Sequence, residues 1–415
     1  MIDARQAAED AARASYGRLL AFLAARSGDV TQAEDALSDA FLSALRTWPD
    51  RGVPQNPEAW LLTAARRNLM HEARHRGVVE ASWPILRAAT EAAEELADDD
   101  GFPDERLKLM FVCSHPDIDA SARSPLMLQV VLGLDAARIA SAFLVSPAAM
   151  GQRLVRAKAR IREAGLRFEV PDENERPARL DAVLEAIYAA YGSGWDDVAG
   201  GDRRSRDLAT EALGLARLTV HLLPSAPEAH GLLALMLHCE ARRGARRSAA
   251  GAFVPLSAQD TTLWSRPMID EAEGQLAAAR SARVMGHFQL EAAIQSAHAS
   301  RAAGGGATSE DIALLYEGLV RLAPTIGALV SRAAAAGDAF GAVRGLELLE
   351  AIPAASTVSY QPYWALRAHL LAIAGAHDAA AKCYERAIGL SEDPAVRAFL
   401  VQRRMELRSA PHPAQ

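Results

Sequence analysis

GLDAARIASAFLVSPAAMGQRLVRAKARIRE, residues 133–163, has the grammar of two short helices joined by a tight turn. Asp135 is placed to cap the first helix, Ile139 and Phe143 give it an apolar side, and Leu144-Val145 make the turn. Ser146 then caps the second helix, with Pro147 at the first helical position, where its missing N–H costs nothing. At about 100° per residue, Met150, Leu154, Ala157 and Ile161 fall on one inward stripe. Arg153, Arg156 and Arg160 line one flank of that stripe; Lys158 and Arg162 line the other. Six basic residues and one acidic residue lie between Met150 and Arg167. Such a helix suits a groove walled by phosphates, with its N-terminal residues near base edges.

The rest of the composition sets bounds on this reading. A chain of 415 residues is long enough for two to four domains. Half of its residues are hydrophobic, alanine is abundant, and no convincing alternating run appears, so the fold class expected is all-α. The net charge of −7 hides the local arrangement. Residues 1–168 carry 21 basic and 23 acidic side chains, and residues 169–415 carry 24 and 29. Affinity for a polyanion would therefore come from clustered patches, and fits a protein whose larger partner supplies most of the DNA binding. Cys113, Cys239 and Cys383 are far apart and form no ligand spacing, so a reduced, cytoplasmic setting and no metal or other cofactor are expected. The acidic N-terminus does not read as a signal peptide, and no apolar run reaches the roughly 18 residues of a membrane span.

Working outward, residues 10–76 read as a compact helical domain. Its second helix, from Ala33 to Trp48, is followed by a turn-rich loop from Pro49 to Gln55. A third helix starts at Asn56 as N-cap and buries Leu61, Leu62, Ala65 and Leu69. Trp60, Arg67, His71 and Arg74 share a narrow arc on its opposite side, where a ring can stack on a base and cations can meet the backbone. Residues 77–103 read as an acidic linker, and residues 104–168 as a second small domain ending in the helix–turn–helix. From about Pro177, residues 177–408 take on the texture of paired amphipathic helices. The clearest pair runs from Tyr363 to Pro394, with Trp364, Ala368, Leu371, Gly375, Ala380, Tyr384 and Ala387 near tetratricopeptide spacing. Leu329 to Leu349, with Gly337 in the turn, reads as a weaker copy, and Glu211 to His238 as another.

Taken together, these segments resemble an extracytoplasmic-function (group IV) sigma factor of the sigma-70 family. The resemblance covers residues 10–168. It rests on Gln32-Ala33-Glu34-Asp35-Ala36-Leu37-Ser38-Asp39-Ala40-Phe41, on Trp60-Leu61-Leu62-Thr63-Ala64-Ala65-Arg66-Arg67, and on Ile139 to Phe143 with Gln152 to Ala157. It implies two small helical sigma domains, the second a helix–turn–helix, and an extension like the tetratricopeptide-like one of a subgroup. Asp35, Asp39 and Phe41 would then dock on core RNA polymerase. Trp60, Arg66, Arg67, His71 and Arg74 would serve the −10 element. Ser146, Gln152, Arg153, Arg156, Lys158 and Arg160 would serve the −35 element, with promoter DNA and polymerase as partners and a protein or intramolecular contact for the repeats. Leu144 departs from the glycine usual in such turns. Small residues at Ala148, Ala149 and Gly151 shift readout towards phosphate contacts and DNA shape.

Two other classes compete. A helix–turn–helix transcriptional regulator with a repeat-built sensor would need neither the acidic helix nor the Trp60 face. A helical enzyme would need a phosphate loop or a paired-carboxylate motif. Gly192-Ser193-Gly194 and Gly304-Gly305-Gly306 read only as loops, and Asp196-Asp197 lacks a partner motif. A catalytic role is therefore not expected.

Overall fold

The computed structural model describes residues 4–75, 104–143, 145–195, 203–302 and 304–409. Among these residues the chain is helical without a named strand; a single isolated bridge joins Arg247 to Phe253. Two compact units result, Met1–Trp195 with Arg203–Leu215, and Asp196–Asp202 with Ala216–Gln415.

In the first unit, α1 (Ala4–Ser27), α2 (Val30–Arg51) and α3 (Pro57–His75) pack on one another. Asp29 caps α2 by accepting the amides of Thr31 and Gln32, and Asn56 caps α3 by accepting that of Ala59. Leu19, Leu20, Phe22, Leu37, Leu61 and Ala65 close the core between the three helices. The break expected at Pro49 does not occur. Pro49 lies in the last turn of α2, and the helix continues to Arg51 before Gly52, at φ +81°, ends it. A proline there removes one hydrogen bond from a turn that is about to finish, which the buried Trp48 beside it offsets. The linker expected at 77–103 lies outside the described residues.

Four further helices follow: α4 (Arg106–Cys113), α5 (Ala120–Leu132), α6 (Ala136–Ala142) and α7 (Pro147–Glu163). Asp119 caps α5, and Gly133 ends it in the left-handed region at φ +72°, a conformation only glycine adopts freely. Helix α8 (Arg176–Trp195) begins the stretch that reads as the extension, yet it packs on α4 and α5. Val183, Leu184, Ile187 and Tyr191 are buried on its inner face, and Arg179 donates to the Phe111 carbonyl at 2.6 Å, at the C-terminal end of α4. Gly192-Ser193-Gly194 is not the loop its composition suggests but part of α8. Each glycine costs a helix about 1 kcal/mol, and the apolar face immediately before them carries the helix through.

In the second unit the helices pack mainly on chain neighbours. Residues 203–215 of α9 (Arg203–Leu222) go with the first unit and the remainder with the second. Helix α10 (Pro227–Ala241) is buried almost all round, with Gly231 to His238 inaccessible between α11 (Arg266–Ser281) and α12 (His287–Ala302). The line continues through α13 (Ser309–Leu322), α14 (Ile326–Phe340), α15 (Ala342–Glu350), α16 (Ala354–Thr357), α17 (Gln361–Ile373), α18 (His377–Leu390) and α19 (Pro394–Ser409). The α17–α18 pair turns at Gly375, φ +79°, and buries Ala368, Ala380, Tyr384 and Ala387. In the α14–α15 pair the turn is at Gly341 rather than at Gly337. Gly337 sits within α14, where a side chain would collide with Leu370; its small size serves helix packing, not chain reversal.

Candidate nucleic-acid interface

Helix α7 is set up as its sequence suggests. The Ser146 hydroxyl accepts the Ala149 amide at 3.2 Å, and Pro147 opens the helix. Met150, Leu154, Ala157 and Ile161 are all buried. The preceding α6 is capped by Asp135, which accepts the Arg138 amide at 2.8 Å. Ser146, Gln152, Arg156 and Arg160 are exposed, and Val155 stands 63 % exposed among them. Arg153 is half-buried and donates to the Ser121 carbonyl at 3.3 Å. Arg160 reaches Asp117 at 3.2 Å, and the Arg156 side chain turns back to the Gln152 carbonyl at 3.4 Å.

Lys158 departs from the expected phosphate-facing position. Its ammonium sits 2.6 Å from Glu34 of α2, with only 11 % and 14 % of the two side chains exposed. The reason is geometric: the flank of α7 that carries Lys158 and Arg162 faces α2. Arg162 lies 3.8 Å from the Asp29 carboxylate that caps α2. Burial raises the Glu34 carboxyl above the ordinary glutamate range, and the Lys158 charge pulls it back.

On α3 the predicted arc divides. Arg67 and His71 are exposed, whereas Trp60 is half-buried and meets Trp48 edge-on, ring centroids 5.5 Å apart at 69°. Its ring is thus held by a neighbouring aromatic instead of standing free beside the cations. Arg66 is turned towards the core, its guanidinium 4.9 Å from the centre of the Phe22 ring, while Arg26 covers the same ring at 3.4 Å. The described residues do not include the Arg74 side chain. Asn68 fixes the helix to α2 by donating to the Ala36 carbonyl at 3.1 Å.

The acidic face of α2 is open. Asp35 and Asp39 are exposed and Phe41 is half-buried. Leu42 and Leu45, 50 % and 44 % exposed, continue the same stripe. Neither leucine stood out as a surface residue in the sequence. The signal was available: at helical spacing Leu42 falls opposite Ala33, Ala36, Leu37, Ala40 and Ala44, all of which are buried, and Leu45 falls to one side of that stripe. Among the described residues, no group of three or more His, Cys, Asp or Glu is arranged to hold a metal ion, and no helix is long and apolar enough to cross a membrane.

Residues 12–78 match the family model for sigma-70 region 2. This chain carries a sigma-70 region 2 domain. Members of the sigma-70 family bind core RNA polymerase and promoter DNA, and the match supports a role in transcription initiation. Residues 179–280 match a second family model, DUF6596, described as a family of unknown function. The chain is 39 % identical over 381 residues to an uncharacterized protein of Rhizobium meliloti (strain 1021), covering 90 % of this chain and 89 % of that one, and belongs to the same family. No solved structure matches. The region 2 match contains most of α1 and all of α2 and α3, and with them Asp35, Asp39, Phe41, Trp60, Arg66, Arg67, His71 and Arg74; α7 lies outside both family matches.

Proposed function

We propose that this sigma-70 family protein is an extracytoplasmic-function type sigma factor that selects promoters through two DNA-contacting helices and has no catalysis of its own. The observation that carries the proposal is α7: a helix capped by Ser146 on a buried apolar stripe, with Gln152, Arg153, Arg156 and Arg160 along one flank. In the −35 major groove, Gln152 and Arg156 would reach base edges, and the exposed Val155 would suit a thymine methyl. Arg153 and Arg160 hold short-range partners that phosphates would replace.

The −10 element falls to the loop before α3 and to Arg67 and His71 on it. Strand opening is then a binding problem, in which unstacking costs of a few kcal/mol are offset by contacts to the extruded base and backbone. Trp60 supports this face from the side, through Trp48. The open stripe Asp35, Asp39, Leu42 and Leu45 would dock on core polymerase, acidic positions steering and leucines burying apolar area. That stripe disfavours the second reading, a helix–turn–helix regulator acting alone on duplex DNA, which has no use for it. The helical pairs from α10 onward form a tetratricopeptide-like extension that would hold a protein segment and so modulate activity.

In vitro transcription with core polymerase tests the reading. Promoter-dependent initiation by the full chain, lost in Asp39→Arg, is the expected result. DNA binding without polymerase binding would replace it with the regulator.

A further inference from the structure

Three successive helices of the second unit leave a cavity of about 110 Å³ between them. Each contributes one face at helical spacing: α12 brings His298 and Arg301, α13 brings Ser309 and Tyr316, and α14 brings Ser331 and Asp338. Small side chains at Ala334 and Ala335 leave the room that larger ones would fill. At about 30 Å³ per water, the space takes roughly three or four waters or one small polyatomic ion. An apolar void of this size would be a dry packing defect, but this one is edged by three hydroxyls, an imidazole and a guanidinium.

Charge in the cavity is uneven. The His298 imidazole is half-buried, and among the described residues it makes no hydrogen bond or ion pair. Burial, together with the positive charges of Arg242 on α10 and Arg301, holds its pKa down at about 4, and no carboxylate opposes them. Arg301 is exposed and likewise without an ion pair among the described residues. Ser331 hydrogen-bonds Tyr316, which leaves one hydroxyl proton of the pair to offer a ligand. Asp338, the acid in the lining, also faces His369 of α17 and draws that imidazole's pKa upward against its burial. Donors on three helices, with an unopposed positive potential at the His298 end, suit an acceptor whose oxygens point in several directions; a planar carboxylate would satisfy fewer of them. We propose that this cavity is a binding site for a tetrahedral oxyanion of the phosphate or sulfate class, held by His298, Arg301, Ser309 and the Tyr316–Ser331 pair. A neutral imidazole donates one N–H to such an ion, so His298 need not gain a proton. An occupant joins α12, α13 and α14 through one ion. No residue of the site lies in the region 2 match or on α7, so it stands apart from the promoter reading.

Calorimetric titration of the full chain with sodium sulfate, inorganic phosphate and glycerol phosphate, at constant ionic strength in chloride, tests the site. One saturable site with a dissociation constant of about 1 mM or below is expected for at least one of the three. Arg301→Ala should weaken it about tenfold, the worth of one charge-assisted hydrogen bond, and His298→Gln by a similar factor. Arg321→Ala, which removes an exposed charge of α13 outside the cavity, should leave it unchanged. In proton–carbon spectra of the imidazoles, the resonance missing from His298→Gln should be the one that moves most on titration. Tighter binding of the phosphate monoester than of the free ions would assign the site to a phosphorylated small molecule; equal or weaker binding would assign it to the free ion. Absence of saturable binding up to about 20 mM, far above the expected constant, overturns the proposal. So does binding that Arg301→Ala leaves intact while the His298 resonance stays still, and because Arg301 is exposed that variant is expected to keep its melting transition.

Discussion

Helices α3 and α7 carry cations at the same helical spacing, and their neighbours treat those charges in opposite ways. On α7 the inward stripe is made of short aliphatic groups that are fully buried, so Arg153, Arg156 and Arg160 are left along an outer flank. On α3 the aromatic meant for the outer arc leans on Trp48, and Arg66 lies over Phe22. A periodic pattern decides which face of a helix is buried. It does not decide where a long or aromatic side chain at the border goes, because that depends on which rings the adjoining helices offer.

The comparison can be broken most directly at Trp60. Trp60→Ala removes the edge contact with Trp48 and should destabilise the first unit by about 2–3 kcal/mol, less than a fully buried aromatic would cost. Transcription should then drop equally on duplex and pre-melted bubble templates. Rescue by the bubble would return Trp60 to a base-stacking role and make α3 behave like α7. Next in size is Arg156→Ala, expected to weaken holoenzyme binding to a promoter about tenfold and to lower the magnitude of the salt slope by about one unit. Normal transcription across a salt titration would remove α7 from the groove. Arg153→Ala should show a smaller loss, since part of that side chain serves the Ser121 carbonyl in the free protein. The smallest contrast lies between adjacent residues of α3. Arg66→Ala should lower thermal stability by about 1 kcal/mol with little change in salt dependence, whereas Arg67→Ala should change salt dependence and leave stability alone. The same phenotype from both would show that the two faces of α3 are not separated.

Much of this division could be read from residue order alone. Local rules gave the all-helical class, the caps at Asp135, Ser146 and Asn56, and the buried stripes of α3 and α7, because each depends on side chains within one or two turns. Three features did not follow from local rules. Glu34 and Lys158 are far apart in the chain, and nothing near either residue announces the other. Trp48 and Trp60 meet across a helical hairpin whose turn begins at Gly52, past the Pro49 that locally reads as a stop. Gly337 reads as a turn until Leu370 is known to fill the space beside it. In each case a tertiary neighbour outweighed the local preference.

Helix α8 has a consequence for how such a protein can be divided or recombined. The DUF6596 match begins at residue 179, within α8, while Arg179 and the Val183 to Tyr191 face are spent on α4 and α5. A chimera cut near residue 170 would strip α8 from the N-terminal half and put a foreign helix in its place. A crossover beyond Trp195 keeps α8 with the domain it completes. Sequence changes on α8 should therefore be inherited together with changes on α4 and α5, whatever family label the helix carries.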